Sequence, residues 1–251
     1  MNRFKRKNVI VTGGAGGIGD AICRRFAEEG ALVWIVDTNA EQAAALADSI
    51  CKQGGQATWR VVDLARSQAI FAFVEEITAA GQHLDVLINN AGINRRGSLL
   101  DLSEDDWQIT FTVNLDAIFH MCRAVLPHMI AQGGGAIVNT ASQWGLHPAP
   151  GHIAYNTSKA AVAAFTQNLA RDYAPQNVRV NAVCPGEVRT PMLESNLVRS
   201  GRSLKDLNAL VPFGRIGEPE EIAALIAFLA SDEAPYLCGS LVEITGAQAV
   251  S

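Results

Sequence analysis

The sequence predicts an α/β fold, a doubly wound parallel sheet of about seven strands with helices on both faces. Three observations carry that expectation. Short, apolar, β-branched runs alternate with helical stretches along the whole chain, as they do where βα units bury their strands on both faces. The first such run opens directly into a glycine-rich loop and then a helical pattern. Polar residues with useful chemistry follow the ends of several strands, which is where open sheets of this kind hold ligands.

The first strand is read over Lys7–Thr12, an apolar and β-branched stretch of buried character. It leads into Gly13, Gly14, Ala15, Gly16, Gly17, Ile18 and Gly19, and a helical pattern follows over 20–27. Strand, glycine loop and helix form the setting that a Rossmann-like dinucleotide fingerprint requires. Glycine permits the tight turn and lets the backbone approach a pyrophosphate at the positive end of the helix. The loop fits two registers, one through Gly14, Gly16 and Gly19 and one through Gly13, Gly17 and Gly19.

The second strand, Leu32–Val36, ends at Asp37. A carboxylate there can accept hydrogen bonds from both adenosine ribose hydroxyls and would repel a 2′-phosphate. No Arg follows closely, so NAD is favoured over NADP as cofactor. Asp37 could instead cap the helix that begins near Asn39. Further strands are read near 57–62, 85–89, 135–140, 178–183 and 241–244, with helices near 39–53, 67–81, 103–131, 152–174 and 218–231. The stretch Val188–Pro212 breaks the rhythm, carries Arg189, Arg199, Arg202 and Lys205, and reads as a lid over an active site.

Composition bounds the function classes. With 251 residues, 49% of them apolar and 18% charged, the chain (1–251) reads as one ordered domain with a sizeable core. A net charge of −5 gives no broad basic footprint for nucleic acid. No apolar run has the length of a membrane span, and the start of the chain lacks a signal-peptide core. The five cysteines have neither CxxC nor Cys/His ligand spacing, so they read as thiols of a reducing cytoplasm, with no disulfide framework and no metal site.

Tyr155 and Lys159 lie four residues apart in the helical run 152–174, with Ser142 upstream. Positions i and i+4 share a helix face. A nearby ammonium favours the phenolate and lowers a phenol's pKa, which makes Tyr155 a candidate general base or acid helped by Lys159. The spacing alone also suits a solvated helix face. Asp63 follows the third strand, Asn90 and Gly92 the fourth, Ser142 the fifth, and Pro185 and Gly186 the sixth.

These elements together resemble the short-chain dehydrogenase/reductase family, in its branch of roughly 250 residues, over essentially the whole chain. The carrying residues are Thr12, Gly13, Gly17, Ile18 and Gly19, then Asp63, Asn89–Gly92, Asn114, Ser142, Tyr155 and Lys159, then Pro185, Gly186, Val188 and Thr190. The resemblance implies that Tyr155 takes the proton of a substrate hydroxyl as the carbon passes hydride to the nicotinamide. Ser142 would hold the substrate oxygen. Lys159 would bind the nicotinamide ribose and depress the Tyr155 pKa. Asn114 would help to hold a relay water. Asp63 is implied to contact adenine, Asn90 the adjoining ribose region and Thr190 the cofactor. Ser142 also suits a strand-end turn, Asn114 a helix-interior amide satisfied by backbone, and Thr190 a cap for the helix after Pro191.

One departure is the last strand, which continues into Thr245-Gly246-Ala247 where such proteins commonly carry Asp-Gly-Gly. The substrate pocket is expected to draw on Asn94, Arg95, Arg96, Gln143, Trp144, His147, His152, Glu187 and the Val188–Pro212 stretch. Among these Asn94, Trp144 and His152 join Ser142 and Tyr155 as candidate substrate-binding residues. Their polarity suggests a polyol, sugar or small hydroxy acid as substrate, unless Arg95 and Arg96 point into solvent. The expected function is an NAD-dependent dehydrogenase of a polar secondary alcohol. A 3-oxoacyl-carrier-protein-type carbonyl reductase is the alternative within enzymes, and a dinucleotide sensor without turnover the alternative outside them. Family likeness further implies a homodimer or homotetramer in contact through the helices at 103–131 and 152–174.

Overall fold

The computed structural model describes residues 2–191, 193, 194, 197, 201 and 203–248. Seven strands form one parallel sheet: β1 (Asn8–Thr12), β2 (Leu32–Asp37), β3 (Gln56–Val61), β4 (Val86–Asn89), β5 (Gly135–Thr140), β6 (Val178–Pro185) and β7 (Leu241–Ile244). Their order is β3-β2-β1-β4-β5-β6-β7. The order reverses between β1 and β4, so the switch point of the sheet lies there, at the glycine loop. Asn8 pairs with Leu32 on one side of β1, and Thr12 with Asn89 on the other.

Side chains alternate between two cores, as the period of a strand dictates. Val9, Val11, Val33 and Ile35 face one core, against Ile22 and Phe26 of α1 (Ile18–Glu28) and Ile222 and Ile226 of α9 (Pro219–Ala230). Ile10, Trp34 and Val36 face the other, against Ile70 and Phe73 of α3 (Ser67–Ala79) and Met121 and Val125 of α5 (Ala117–Ala131). Between these lie α2 (Ala40–Lys52), α4 (Glu104–Phe111), α6 (Gln143–Leu146), α7 (Ile153–Tyr173) and α8 (Leu204–Leu210).

The expected long helix over 103–131 is not regular. A π-helical turn at Thr112–Asp116 separates α4 from α5. Asn114 lies at its middle, fully buried and hydrogen-bonded outside its own helix. The 104–131 run has the length and composition of a membrane span, and half of the qualifying stretch is buried in the fold. The buried half, with Met121, Val125 and Met129, packs with the sheet and α3.

In the Val188–Pro212 stretch, Leu197, Leu207 and Val211 gather with Ile216 into a small separate apolar cluster. Lys205 lies in α8, whereas Arg199 and Arg202 fall outside the described residues. After β7, Ala247 takes a left-handed φ of 58°, a conformation that glycine adopts without strain.

Candidate active site

The glycine loop joins β1 to α1, with Gly17 just before the first turn of the helix. Two glycines are fixed by contact. A Cβ on Gly13 would come within 2.8 Å of Ala91 Cα, and one on Gly19 within 2.0 Å of the Gly13 carbonyl oxygen. Asn90 secures this approach by donating from Nδ2 to the carbonyls of Thr12 (3.3 Å) and Gly13 (3.1 Å). Its amide is thus spent on the loop, although the residue still borders the cleft.

That cleft has a volume of about 700 Å³ and runs from Gly13, Gly17 and Ile18 past Asn90 and Gly92 to Tyr155 and Lys159, with Thr190 on its outer wall. A dinucleotide suits it on two counts. The exposed Gly16 has open space where a side chain would stand, and the N-terminus of α1 offers unpaired backbone donors to a pyrophosphate. Deeper in, Thr140 lies on the boundary with a second cleft. Its Oγ1 is buried without a hydrogen-bond partner. A buried hydroxyl left unpaired is costly, and a bound ribose or amide would satisfy it.

Asp37 is not the helix cap. Asn39 is, its side chain accepting from Gln42 N at 3.1 Å. Asp37 instead accepts from Ala15 N and from Asn39 N, each at 3.0 Å, so it ties the end of β2 to the glycine loop while keeping lone pairs to spare. Asp63 is exposed just beyond β3 and accepts from Ala65 N. Neither carboxylate borders the cleft itself. Pro185 ends β6, and Val188 and Thr190 follow it along the wall of the second cleft. Thr190 Oγ1 also accepts from Leu193 N at 3.2 Å, as a cap would.

The second cleft, about 170 Å³, opens beside Ser142, Tyr155, Asn94, Arg96, Trp144 and Glu187. Ser142 precedes the short α6 and accepts from Trp144 N at 3.1 Å. It also lines the second cleft with Tyr155 and acts to lower that phenol's pKa, so the turn-forming and substrate-facing readings of Ser142 coexist. Trp144 stands edge-on to the Tyr155 ring at 6.0 Å and lies against His152 at 4.7 Å between centroids. His152 Nδ1 meets Asn94 Oδ1 at 3.0 Å. Burial, together with the Arg96 charge, lowers the His152 pKa, so its ring is neutral at physiological pH.

Three sequence expectations are corrected here. First, Lys159 does not depress the Tyr155 pKa in this structure. Its Nζ lies 5.9 Å from the Tyr155 ring centroid and donates to the Thr140 carbonyl at 2.6 Å. Burial raises the Tyr155 pKa, the neighbouring Ser142 hydroxyl opposes that, and the Glu187 charge adds to it. Burial also brings Lys159 down to about 8, with Cys184 acting in the opposite sense. Second, the Asn114 side chain is largely spent. It accepts from Ile93 N (2.8 Å) and donates to Ile93 O and Ser158 Oγ (both 3.0 Å). It braces α7 and the loop after β4, and one lone pair of Oδ1 is what it has left for a water. Third, not every expected pocket residue faces the pocket. Arg95 turns to Asp106 (3.3 Å), His147 to Glu243 (3.5 Å) and His152 to Asn94 (3.0 Å), whereas Gln143 lines the pocket while donating to Gln248 Oε1 (3.0 Å).

Thr140 and Ser158 went unremarked in the sequence, where a Thr closing a β-branched strand and a Ser inside a helix carry no distinguishing signal. Gly145 is a further such case, since a Cβ there would come within 2.6 Å of the Lys159 backbone. A polar cavity of about 280 Å³ lies at the opposite ends of the strands. Its Arg3, Lys7 and Arg179 are already engaged by Glu29 and Glu233, by Asp85, and by carbonyls at the end of α9.

The family model for short chain dehydrogenases matches residues 7–199. The chain belongs to the short-chain dehydrogenase family. It is 38% identical over 245 residues to the 3-oxoacyl-acyl-carrier-protein reductase FabG of Chlamydia trachomatis serovar D, covering 97% of each chain. Among solved structures it is similar to the L-sorbose reductase of Gluconobacter frateurii, complexed with NADPH and L-sorbose, with a TM-score of 0.93 and 30% identity over 98% of each chain. It is also similar to an NAD+-bound xylitol dehydrogenase, with a TM-score of 0.91 and 33% identity over 97% of this chain and 99% of that one. Membership makes this member of the family an oxidoreductase by descent, and the two solved relatives differ in the nicotinamide dinucleotide they hold.

Proposed function

We propose that the protein is an NAD-dependent dehydrogenase acting on a polar secondary alcohol. The observation that carries this reading is the meeting of two clefts at Tyr155 and Thr140. One cleft suits a dinucleotide. The other is small and lined by Ser142, Asn94, Trp144 and Arg96.

Bound in the larger cleft, against Gly13, Gly17, Ile18, Asn90, Gly92, Lys159 and Thr190, with Gly19 shaping the loop and Pro185 and Val188 at the smaller cleft beside it, the nicotinamide dinucleotide would supply the hydride acceptor. Everything else falls to the chain's own groups. Ser142 Oγ and the Tyr155 hydroxyl, which line the same cleft, would both address the substrate oxygen. Tyr155 would take the hydroxyl proton as general base in its phenolate form, which burial disfavours and the positive charge of a bound oxidised nicotinamide would favour. Lys159, anchored to the Thr140 carbonyl, carries a proton that is readily given up near neutral pH, because burial holds it at about 8. Asn114 keeps α7 in place through Ser158. The Val188–Pro212 stretch would close over the cleft and exclude water.

Asp37 supports NAD, since its carboxylate beside the glycine loop disfavours a 2′-phosphate. Likeness to FabG favours the carbonyl-reductase alternative. A cleft of about 170 Å³ walled by Arg96, Asn94 and Glu187 suits a small polar molecule better than an acyl chain.

The test is the absorbance of the reduced nicotinamide, with NAD or NADP and a panel of polyols, sugars and hydroxy acids, using wild type and Tyr155→Phe. The substitution should lower turnover roughly 10²–10⁴-fold while NAD still binds. Wild-type turnover in Tyr155→Phe would refute the assignment.

A further inference from the structure

We infer that the substrate carries an oxyanion, a carboxylate or its sulfonate equivalent, held by Arg96 and Asn94 at the end of the cleft away from the reacting hydroxyl. This rests on the dehydrogenase reading and narrows it to small hydroxy acids.

Three arginines lie near the two clefts, Arg95 and Arg96 in the loop after β4 and Arg189 after β6. Arg95 is paired with Asp106 and Arg189 with Glu218. Arg96 borders the smaller cleft and makes no hydrogen bond or ion pair with any described residue. Its charge is felt by His152, which places it on that side. Glu187, the acidic side chain of the same lining, acts on Tyr155 instead. The cleft is therefore polarised along its length, with a cation by the Asn94–His152 pair and the acid by the catalytic phenol.

Asn94 is oriented to help. With the His152 ring neutral, its Nδ1–H donates to Asn94 Oδ1, and the amide Nδ2 has no partner among the described residues. Two donor groups without acceptors thus converge at one end, a guanidinium and an amide, which is the donor set an oxyanion takes. Trp144, fixed between His152 and Tyr155, gives the wall against which the carbon chain between the two ends would lie. A volume of about 170 Å³ limits that chain to a few carbons.

The experiment compares matched acids and neutral alcohols: glycerate with glycerol, threonate with threitol, and the sulfonate analogue of glycerate. Wild type, Arg96→Ala and Arg95→Ala are assayed with NAD. Wild type should favour the acid of each pair. Arg96→Ala should lower kcat/KM for the acid about 10- to 100-fold, the worth of a charge-assisted hydrogen bond, mostly through KM, and leave the neutral partner within about threefold. Added salt should raise KM for acids more than for neutral alcohols. Arg95→Ala, which removes the same charge one residue away, should behave as wild type. A preference for the sulfonate over glycerate assigns the tetrahedral oxyanion, and the reverse assigns the carboxylate.

Equal use of acid and neutral partners, or equal losses on both in Arg96→Ala, would overturn the inference. If no compound turns over, tryptophan fluorescence of the protein with NADH is titrated with the same acids. Binding weakened by Arg96→Ala but not by Arg95→Ala upholds the clamp, and no binding overturns it. Failure of the parent reading looks different: turnover indifferent to Tyr155→Phe, with the Arg96 discrimination intact.

Discussion

Lys159 should make the nucleotide-free protein less stable at neutral pH than it would be with an apolar residue in its place. Its side chain is almost fully buried, it faces no carboxylate, and its one hydrogen bond is to the Thr140 carbonyl. Burial lowers its pKa from 10.5 to about 8. The unfolded chain, with the ordinary value, then binds more protons than the folded one between pH 8 and 10.5, so this group makes stability rise with pH through that window. Below pH 8 the folded state carries the buried ammonium in full, at a cost of about 3 kcal/mol for a shift of this size. Near pH 9.5 roughly 2 kcal/mol of that cost is gone. Lys159→Met keeps the length and removes the charge. Urea unfolding of both proteins, without nucleotide and at one protein concentration, should show the variant more stable by about 2 kcal/mol near pH 7, after about 1 kcal/mol is allowed for the carbonyl left without its donor. The gap should close near pH 9.5. Other titrating groups cancel in the comparison. A gap that does not change with pH would mean that Lys159 keeps its ordinary pKa in the fold, and the reasoning would fail.

Thr140→Val removes a buried hydroxyl that has no partner, so the nucleotide-free protein should hold its stability or gain up to about 1 kcal/mol. NADH affinity should fall about 3- to 10-fold; calorimetric titration giving an unchanged affinity would show that the hydroxyl does not meet the cofactor. Asp37→Arg should move the ratio of kcat/KM values toward NADP, and an unchanged ratio would show that Asp37 does not touch the ribose. Assembly into dimers or tetramers is proposed through the helices over 104–131, where Trp107, Phe119 and Ile130 are exposed. Sedimentation that finds only a 26.7 kDa species would refute it.

The strands and most helices were legible because each is buried in a regular way. Val9 and Val11 face one core and Ile10 the other, and a β-branched run between two turns already states as much. Strand order was not legible, because pairing of β1 with β4 depends on contacts far apart in sequence. The π turn escaped because it needs no unusual residue. Asn114 is simply turned outward to Ile93 and Ser158, which come from a loop and another helix. Adjacent Arg95 and Arg96 are alike as letters. Only the position of Asp106 on α4 decides that the first turns outward to an ion pair and the second is left at the cleft. Asp37 and Asn90 were legible as polar residues at strand ends, but not as residues whose side chains hold the glycine loop.

Such bracing has a physical reason. A site built where strands end rests on loops, and loops hold a geometry only when their polar groups are spent on one another. Beneath this site the spending is systematic. Asn89 donates to Asn139 across β4 and β5, Asn139 to Thr166 of α7, and Thr166 to the Val162 carbonyl, each at 2.8–2.9 Å and all buried. Together with the Asn114–Ser158 bond, this fastens α7, and hence Tyr155 and Lys159, to the sheet and to the loop after β4. An amide in such a chain cannot be exchanged for an apolar residue without leaving a neighbour unpaired. Five buried polar atoms among the described residues have no partner, on Asn8, Trp34, His120, Thr140 and Asn156, and of these Thr140 Oγ1 alone borders the two clefts. That hydroxyl, with the Asn94 amide and the exposed Arg96 guanidinium beside the same cleft, is what a bound molecule would engage.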